Sequence, residues 1–250
     1  MLIAAAFVIL STNLNPESWS LSVGGVSRTA LVYRPSRGSG KAPIIICFHG
    51  HGGNSRYAAR AYDFQTQWPE ALVVYPQGLP TVSARVDPQG KMPGWQMARL
   101  RGNADIELFD ALVAKATKEA NGDTSRVFIM GHSNGGGFVY TLWAARPDAI
   151  AGVASANAAG AMRVSRPLPA FIVVGDKDQL VEPKLQHSSL DTVKALLGST
   201  PEGGRKLSDT VHAYSGKAPL VTYIYDGGHD FQKASVPWMV KFFQSLPKGL

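Results

Sequence analysis

Two hydrophobic periods divide the chain. Near the N-terminus, Trp19-Ser20-Leu21-Ser22-Val23 and Arg28-Thr29-Ala30-Leu31-Val32-Tyr33 alternate as half-buried strands do, and Gly24-Gly25 between them reads as a hairpin turn. Beyond this start the alternation gives way to short, almost continuously apolar runs at 44–48, 72–75, 127–130, 150–154, 171–174 and 221–225, the pattern of strands covered on both faces. Helical spacing separates several of them. Over 104–120 it puts Ile106, Phe109, Leu112, Val113 and Ala116 on one face, with Asp105 and Glu107 at the positive end and Asn121-Gly122 as a stop. Residues 136–146 form a helix ended by Pro147, 183–197 a second, and 237–246 close the chain. Strand and helix alternating after an antiparallel start predict an α/β domain with a mainly parallel central sheet and helices on both faces.

Length and composition add bounds. The 250 residues, 45% of them hydrophobic, suit one core, so 18–250 is expected to be a single domain and 1–17 an N-terminal extension. The apolar run 1–10 is too short to span a bilayer and has no basic residues before it; it reads as a signal-peptide remnant, an edge strand or an artificial leader. A secreted or periplasmic location is the expectation from the first reading. The net charge of +7 comes from singly scattered basic residues such as Lys115, Lys118, Arg126 and Arg146, without a nucleic-acid-binding module, so neither nucleic acid nor a membrane is expected as a stable partner. Cys47, the only cysteine, lies in an apolar run and is expected in the core; an intramolecular disulfide and a cysteine-built zinc site are excluded.

In a parallel sheet, ligands bind beyond the carboxyl ends of the strands, which selects the loops at 49–54, 77–100, 132–137, 175–182 and 226–230. One of them reads Gly131-His132-Ser133-Asn134-Gly135, a G-x-S-x-G pattern between a strand and a helix, where a sharp turn can project the Ser133 hydroxyl as a nucleophile. A hydroxyl needs a base. Of six histidines, His229 follows the last strand behind Gly227-Gly228, whereas His187 lies in a predicted helix and His212 in an irregular stretch. An acid is expected after an intervening strand, where Asp176 and Asp178 both stand; one would orient the imidazole and the other would brace the turn, with Glu182 more distant. The glycine-rich stretch His49-Gly50-His51-Gly52-Gly53-Asn54 suits an oxyanion hole with backbone donors at His51 and Asn134. Its rival, a metal site at His49 and His51, lacks a carboxylate partner, so no metal and no cofactor are expected.

HGHGGN at 49–54, YPQG at 75–78, GW at 94–95, DIELFDAL at 105–112, RVFIMGHSNGGGF at 126–138, GDKD at 175–178 and GGH at 227–229 occur in an order that resembles the bacterial polyhydroxybutyrate depolymerase-like and feruloyl esterase-like hydrolases of the α/β-hydrolase superfamily. The resemblance implies the α/β-hydrolase fold and cofactor-free hydrolysis of short acyl, hydroxyalkanoate or hydroxycinnamate esters. It also favours Asp178 as the acid, three residues after Gly175. The chain departs from the pattern at His51, where relatives often carry cysteine. The same machinery could serve a serine peptidase or amidase, and a noncatalytic binding protein is the third reading. No lid domain fits between the runs at 150–154 and 171–174. Trp95, in the long 77–100 loop, is then read either as a substrate-binding wall or as the anchor of its own loop.

Overall fold

The computed structural model describes residues 15–97, 101–161, 164–200 and 204–247. The apolar run 1–10 lies outside them. Glu17–Val23 (β1) and Val26–Tyr33 (β2) form the expected hairpin, and Gly24 and Gly25 both take positive φ (55° and 79°), the condition of a two-residue turn that follows the strand twist. The chain continues through Ala42–Phe48 (β3), the helices Ser55–Tyr62 (α1) and Phe64–Gln67 (α2), and Leu72–Pro76 (β4). Leu79–Pro80 (β5) and Pro93–Gly94 (β6) pair as a small ribbon within the long loop. Ala104–Ala120 (α3), Gly122–His132 (β7), Asn134–Ala145 (α4), Gly152–Ala156 (β8), Ala170–Gly175 (β9) and Pro183–Leu197 (α5) follow. Arg205–Lys206 (β10), Val211–Tyr214 (β11), Leu220–Tyr225 (β12) and Val236–Ser245 (α6) complete it.

Ten strands among the described residues make one sheet in the order β1-β2-β4-β3-β7-β8-β9-β12-β11-β10. The six from β4 to β12 are parallel to one another, and antiparallel strands close both edges. Every residue of β3, β4, β8 and β9 is buried, as the continuous apolar runs require. Alternate side chains feed separate cores. Ile44, Ile46 and Phe48 pack with α3, α4 and α5 on one face, while Ile45 and Cys47 pack with α1, α2 and α6 on the other. Burial pushes the Cys47 thiol well above its ordinary value, so it stays a protonated core residue.

Two expectations are corrected. His212 lies on β11, opposite Thr222, and not in an irregular stretch; four residues near a sheet edge, one buried and three half-buried, carry too little pattern to announce a strand. The helix expected at 136–146 begins at Asn134, directly behind Ser133. The connection from β8 to β9 is the thirteen residues 157–169.

Candidate active site

Ser133 stands between β7 and α4 with φ 57° and ψ −121°, a conformation that L-residues avoid and that costs about 1–3 kcal/mol. Its surroundings enforce it. Ser133 N–H donates to Ala156 O (2.9 Å) and its carbonyl accepts from Gly137 N–H (2.9 Å). A Cβ on Gly131 would collide with the Gly135 carbonyl, and one on Gly135 with the Phe48 carbonyl, so the two glycines are what let the turn close this tightly against β3. The serine thereby stands at the positive end of α4.

The structure brings Ser133, His229 and Asp178 into one hydrogen-bonded chain. His229 Nδ1 lies 2.7 Å from Asp178 Oδ2 and Nε2 lies 2.7 Å from Ser133 Oγ. An ionised carboxylate only accepts, so Nδ1 carries the proton and Nε2 is left to accept from the hydroxyl. Asp178 is 3% exposed and is surrounded by donors: Oδ1 accepts from Leu180 N–H (2.8 Å) and Val181 N–H (2.9 Å), and Oδ2 also accepts from Gln186 Nε2 (2.8 Å). Burial pushes its carboxyl up, but the bond from His229 and the Val181 and Leu180 amides outweigh this and hold it below its ordinary value. Asp176 instead meets His187 Nε2 at 2.7 Å, with both side chains more than 40% exposed, away from His229.

Three side chains fix the loop that carries His229. His132 Nε2 donates to the His229 carbonyl (2.7 Å), Asn157 Nδ2 donates to Gly228 O (3.1 Å), and Tyr225 Oη lies within hydrogen-bond reach of Gly228 O and Asp230 O (2.7 and 3.0 Å). Burial, then the neighbouring His229, lowers His132 to about 4, so it is neutral near pH 7 and its Nε2–H serves as a donor. Sequence reasoning missed Gln186 and Asn157, whose partners are set by tertiary packing, and Tyr225, which bonds Gly228 and Asp230 within its own loop but carries no motif.

The two residues expected to supply oxyanion donors, His51 and Asn134, both lie against Gly94, where an added Cβ would meet the His51 ring and Asn134 Oδ1. Asn134 is the first residue of α4, whose N–H has no acceptor within the helix. Its side chain is locked to the Trp95 backbone, Oδ1 accepting from Trp95 N–H (2.7 Å) and Nδ2 donating to Trp95 O (3.1 Å). In the loop after β3, Gly50 lies in van der Waals contact with Ser133, and Gly53 N–H closes back onto Gly50 O (3.0 Å). His49 Nε2 accepts from Gly78 N–H (3.0 Å) and Nδ1 donates to Gly50 O (2.8 Å), so both of its nitrogens serve the loop. His51 Nε2 donates to Asp87 Oδ2 (3.1 Å).

Trp95 is not a wall of the cleft. It is 1% exposed, packs edge-on against Phe48 and stacks on Phe138 at centroid distances of 5.1 and 5.7 Å, and donates its indole N–H to His49 O (2.8 Å). An indole with a satisfied N–H and no open face is an anchor, which corrects the substrate-binding assignment.

A parallel sheet with antiparallel edges, a serine on the strand-to-helix turn and a histidine after the last strand define the α/β-hydrolase fold. Solved structures agree: an acetyl xylan esterase from Aspergillus awamori superposes with a TM-score of 0.67 at 12% identity, covering 91% of this chain and 99% of that one. A ferulic acid esterase from Anaeromyces mucronatus gives a TM-score of 0.63 at 14% identity, covering 93% and 90%. In sequence, the chain is 28% identical over 162 residues to a bifunctional acetylxylan esterase/xylanase of Neocallimastix patriciarum, a match that takes in 63% of this chain and 22% of that protein's length. No protein-family model matches.

Proposed function

We propose that this chain is a carboxylic ester hydrolase that works through an acyl-enzyme on Ser133. The observation that carries the reading is the continuous bond from Asp178 through His229 to Ser133 Oγ, with 2.7 Å at each step. In this mechanism Ser133 Oγ attacks the ester carbonyl as its proton passes to His229 Nε2, and Asp178 stabilises the imidazolium that results. Negative charge develops on the carbonyl oxygen, where the Asn134 and His51 N–H groups and the α4 terminus receive it. The tetrahedral adduct then collapses and the alcohol leaves with the proton from His229. Water repeats the sequence on the acyl-serine and releases the acid. No cofactor takes part in these steps.

For the substrate we infer short-chain, hydroxyalkanoate or hydroxycinnamate esters. Esterase names among the similar proteins support this, as do apolar side chains exposed on segments at the end of the sheet where Ser133 stands. Tyr57, Val82, Val86, Met92, Leu180 and Leu185 are each at least 43% exposed, and all lie on segments that follow the carboxyl ends of parallel strands. Exposed apolar side chains at that end of the sheet suit an acyl or aryl group better than a charged peptide. The test is a panel of p-nitrophenyl esters of increasing chain length, methyl ferulate, hydroxybutyrate oligomers and matched anilides. Hydrolysis of esters with none of anilides is expected; faster anilide cleavage would replace the reading with an amidase.

A further inference from the structure

Both oxyanion donors in the proposed mechanism are held by one segment, residues 77–97. Trp95 clamps the Asn134 side chain through both of its backbone polar groups. The same segment grips the other donor loop: Trp95 Nε1 bonds His49 O (2.8 Å), Pro93 O accepts from Gly52 N–H (2.7 Å), and Asp87 meets His51. The last contact is unusual among these, because it joins two ionisable side chains that are 6% and 7% exposed. Asp87 Oδ2 accepts from both His51 Nε2 (3.1 Å) and Met92 N–H (2.8 Å). The Met92 amide, above all, holds this carboxyl below its ordinary value against the opposing effect of burial, helped by the Lys91 amide and by His51. A carboxylate is therefore present at neutral pH to orient the imidazole.

We propose that Asp87 and His51 are a positioning pair for the oxyanion hole: the Asp87 carboxylate fixes the His51 ring, and the fixed ring sets the peptide plane whose N–H faces the developing oxyanion. The proposal rests on the ester-hydrolase reading of Ser133. In this proposal His51 and Asp87 act through the backbone. The His51 N–H shares its peptide plane with Gly50 O, which accepts from Gly53 N–H and His49 Nδ1, while the ring tied at Nε2 and Gly52 N–H tied to Pro93 O hold the residue from its other side. Releasing the ring frees one side. A donor displaced by a fraction of an ångström loses transition-state stabilisation while ground-state binding changes little.

The experiment measures, for wild type and Asp87→Asn, kcat and KM on a p-nitrophenyl ester together with the affinity of an aryl trifluoromethyl ketone, which forms a serine hemiketal with its oxygen in the hole. Expected is a fall in kcat of about 10- to 100-fold, a KM within about 2-fold, and a loss of ketone affinity matching the loss of kcat/KM. Asp87→Asn and His51→Ala should be non-additive, the double variant being no worse than the poorer single one. Arg85→Ala, which removes the surface pair with Glu182 on the same segment, should change none of these values. Should Asp87→Asn fail to fold, Asp87→Glu keeps the charge but displaces the ring, and the same two assays read it. The pair is refuted if kcat stays within 2-fold, if kcat falls while ketone affinity does not, or if the two single losses multiply. A wild-type protein that neither cleaves the ester nor binds the ketone would overturn the underlying hydrolase reading, and the pair with it.

Discussion

Replacing Asp178 by Asn turns one oxygen into an NH2 group in a pocket where the neighbours are donors. The carboxylate receives four close bonds, from Leu180 and Val181 N–H on Oδ1 and from His229 Nδ1 and Gln186 Nε2 on Oδ2. An amide can satisfy only one of these two pairs. If its oxygen stays with the backbone amides, the NH2 faces His229 and forces the proton from Nδ1 to Nε2, where it blocks acceptance of the Ser133 proton. If the amide flips, the imidazole tautomer survives but two buried N–H groups face a donor, at about 1–3 kcal/mol. The first outcome loses catalysis, and a wrong tautomer of this kind costs about 10⁴-fold in kcat, or about 5 kcal/mol. Steady-state hydrolysis of p-nitrophenyl butyrate reads it directly, with circular dichroism as the folding control. Asp176→Asn, in an exposed pair with His187, should stay within about 2-fold. A larger effect at Asp176, or a loss under 10-fold at Asp178, would refute the assignment. Stability gives an independent reading. Because the folded carboxyl of Asp178 lies below its ordinary value, its contribution is present above the unfolded-state range and is lost as pH falls through the folded value. Asp178→Asn should remove that acid limb.

Trp95→Ala should lower stability by about 3–5 kcal/mol in urea denaturation, as a buried aromatic truncation does; a change in KM alone would restore the wall reading. His132, at about 4 in the fold, resists protonation that the unfolded chain accepts near 6.5. Its contribution, about 3 kcal/mol, is therefore complete above pH 6.5 and lost as pH falls toward 4, so His132→Asn should flatten stability over that window; an unchanged slope would contradict it.

The parallel strands were legible because burial on both faces writes continuous apolar runs, as at Ile44 to Phe48, and α3 because Asp105 and Glu107 at one end and Asn121-Gly122 at the other bracket an amphipathic stretch. Edge strands such as β10, with both residues exposed, leave no such trace. Within the site, Ser133, His229 and an acid at Asp176 or Asp178 could be recognised as neighbours because parallel strands carry their loops to one end of the sheet, and the family resemblance favoured Asp178 of the two. Gln186, Asn157 and Asp87 could not. Their partners lie 8, 71 and 36 positions away, at distances that only the packed fold sets. Trp95 was ambiguous for the opposite reason: an aromatic in a proline-rich loop fits a cleft wall and a loop anchor equally, and only its contacts decide.

The central claim is that Ser133 is the nucleophile, and covalent trapping tests it most directly. The protein is treated with a fluorophosphonate and separately quenched during turnover of a slow p-nitrophenyl ester, then digested and mapped by mass spectrometry. One adduct per chain on the peptide containing Ser133 is expected in both cases, absent from a folded Ser133→Ala protein that has also lost hydrolysis. Adducts on another residue, or hydrolysis retained by Ser133→Ala, would contradict the account.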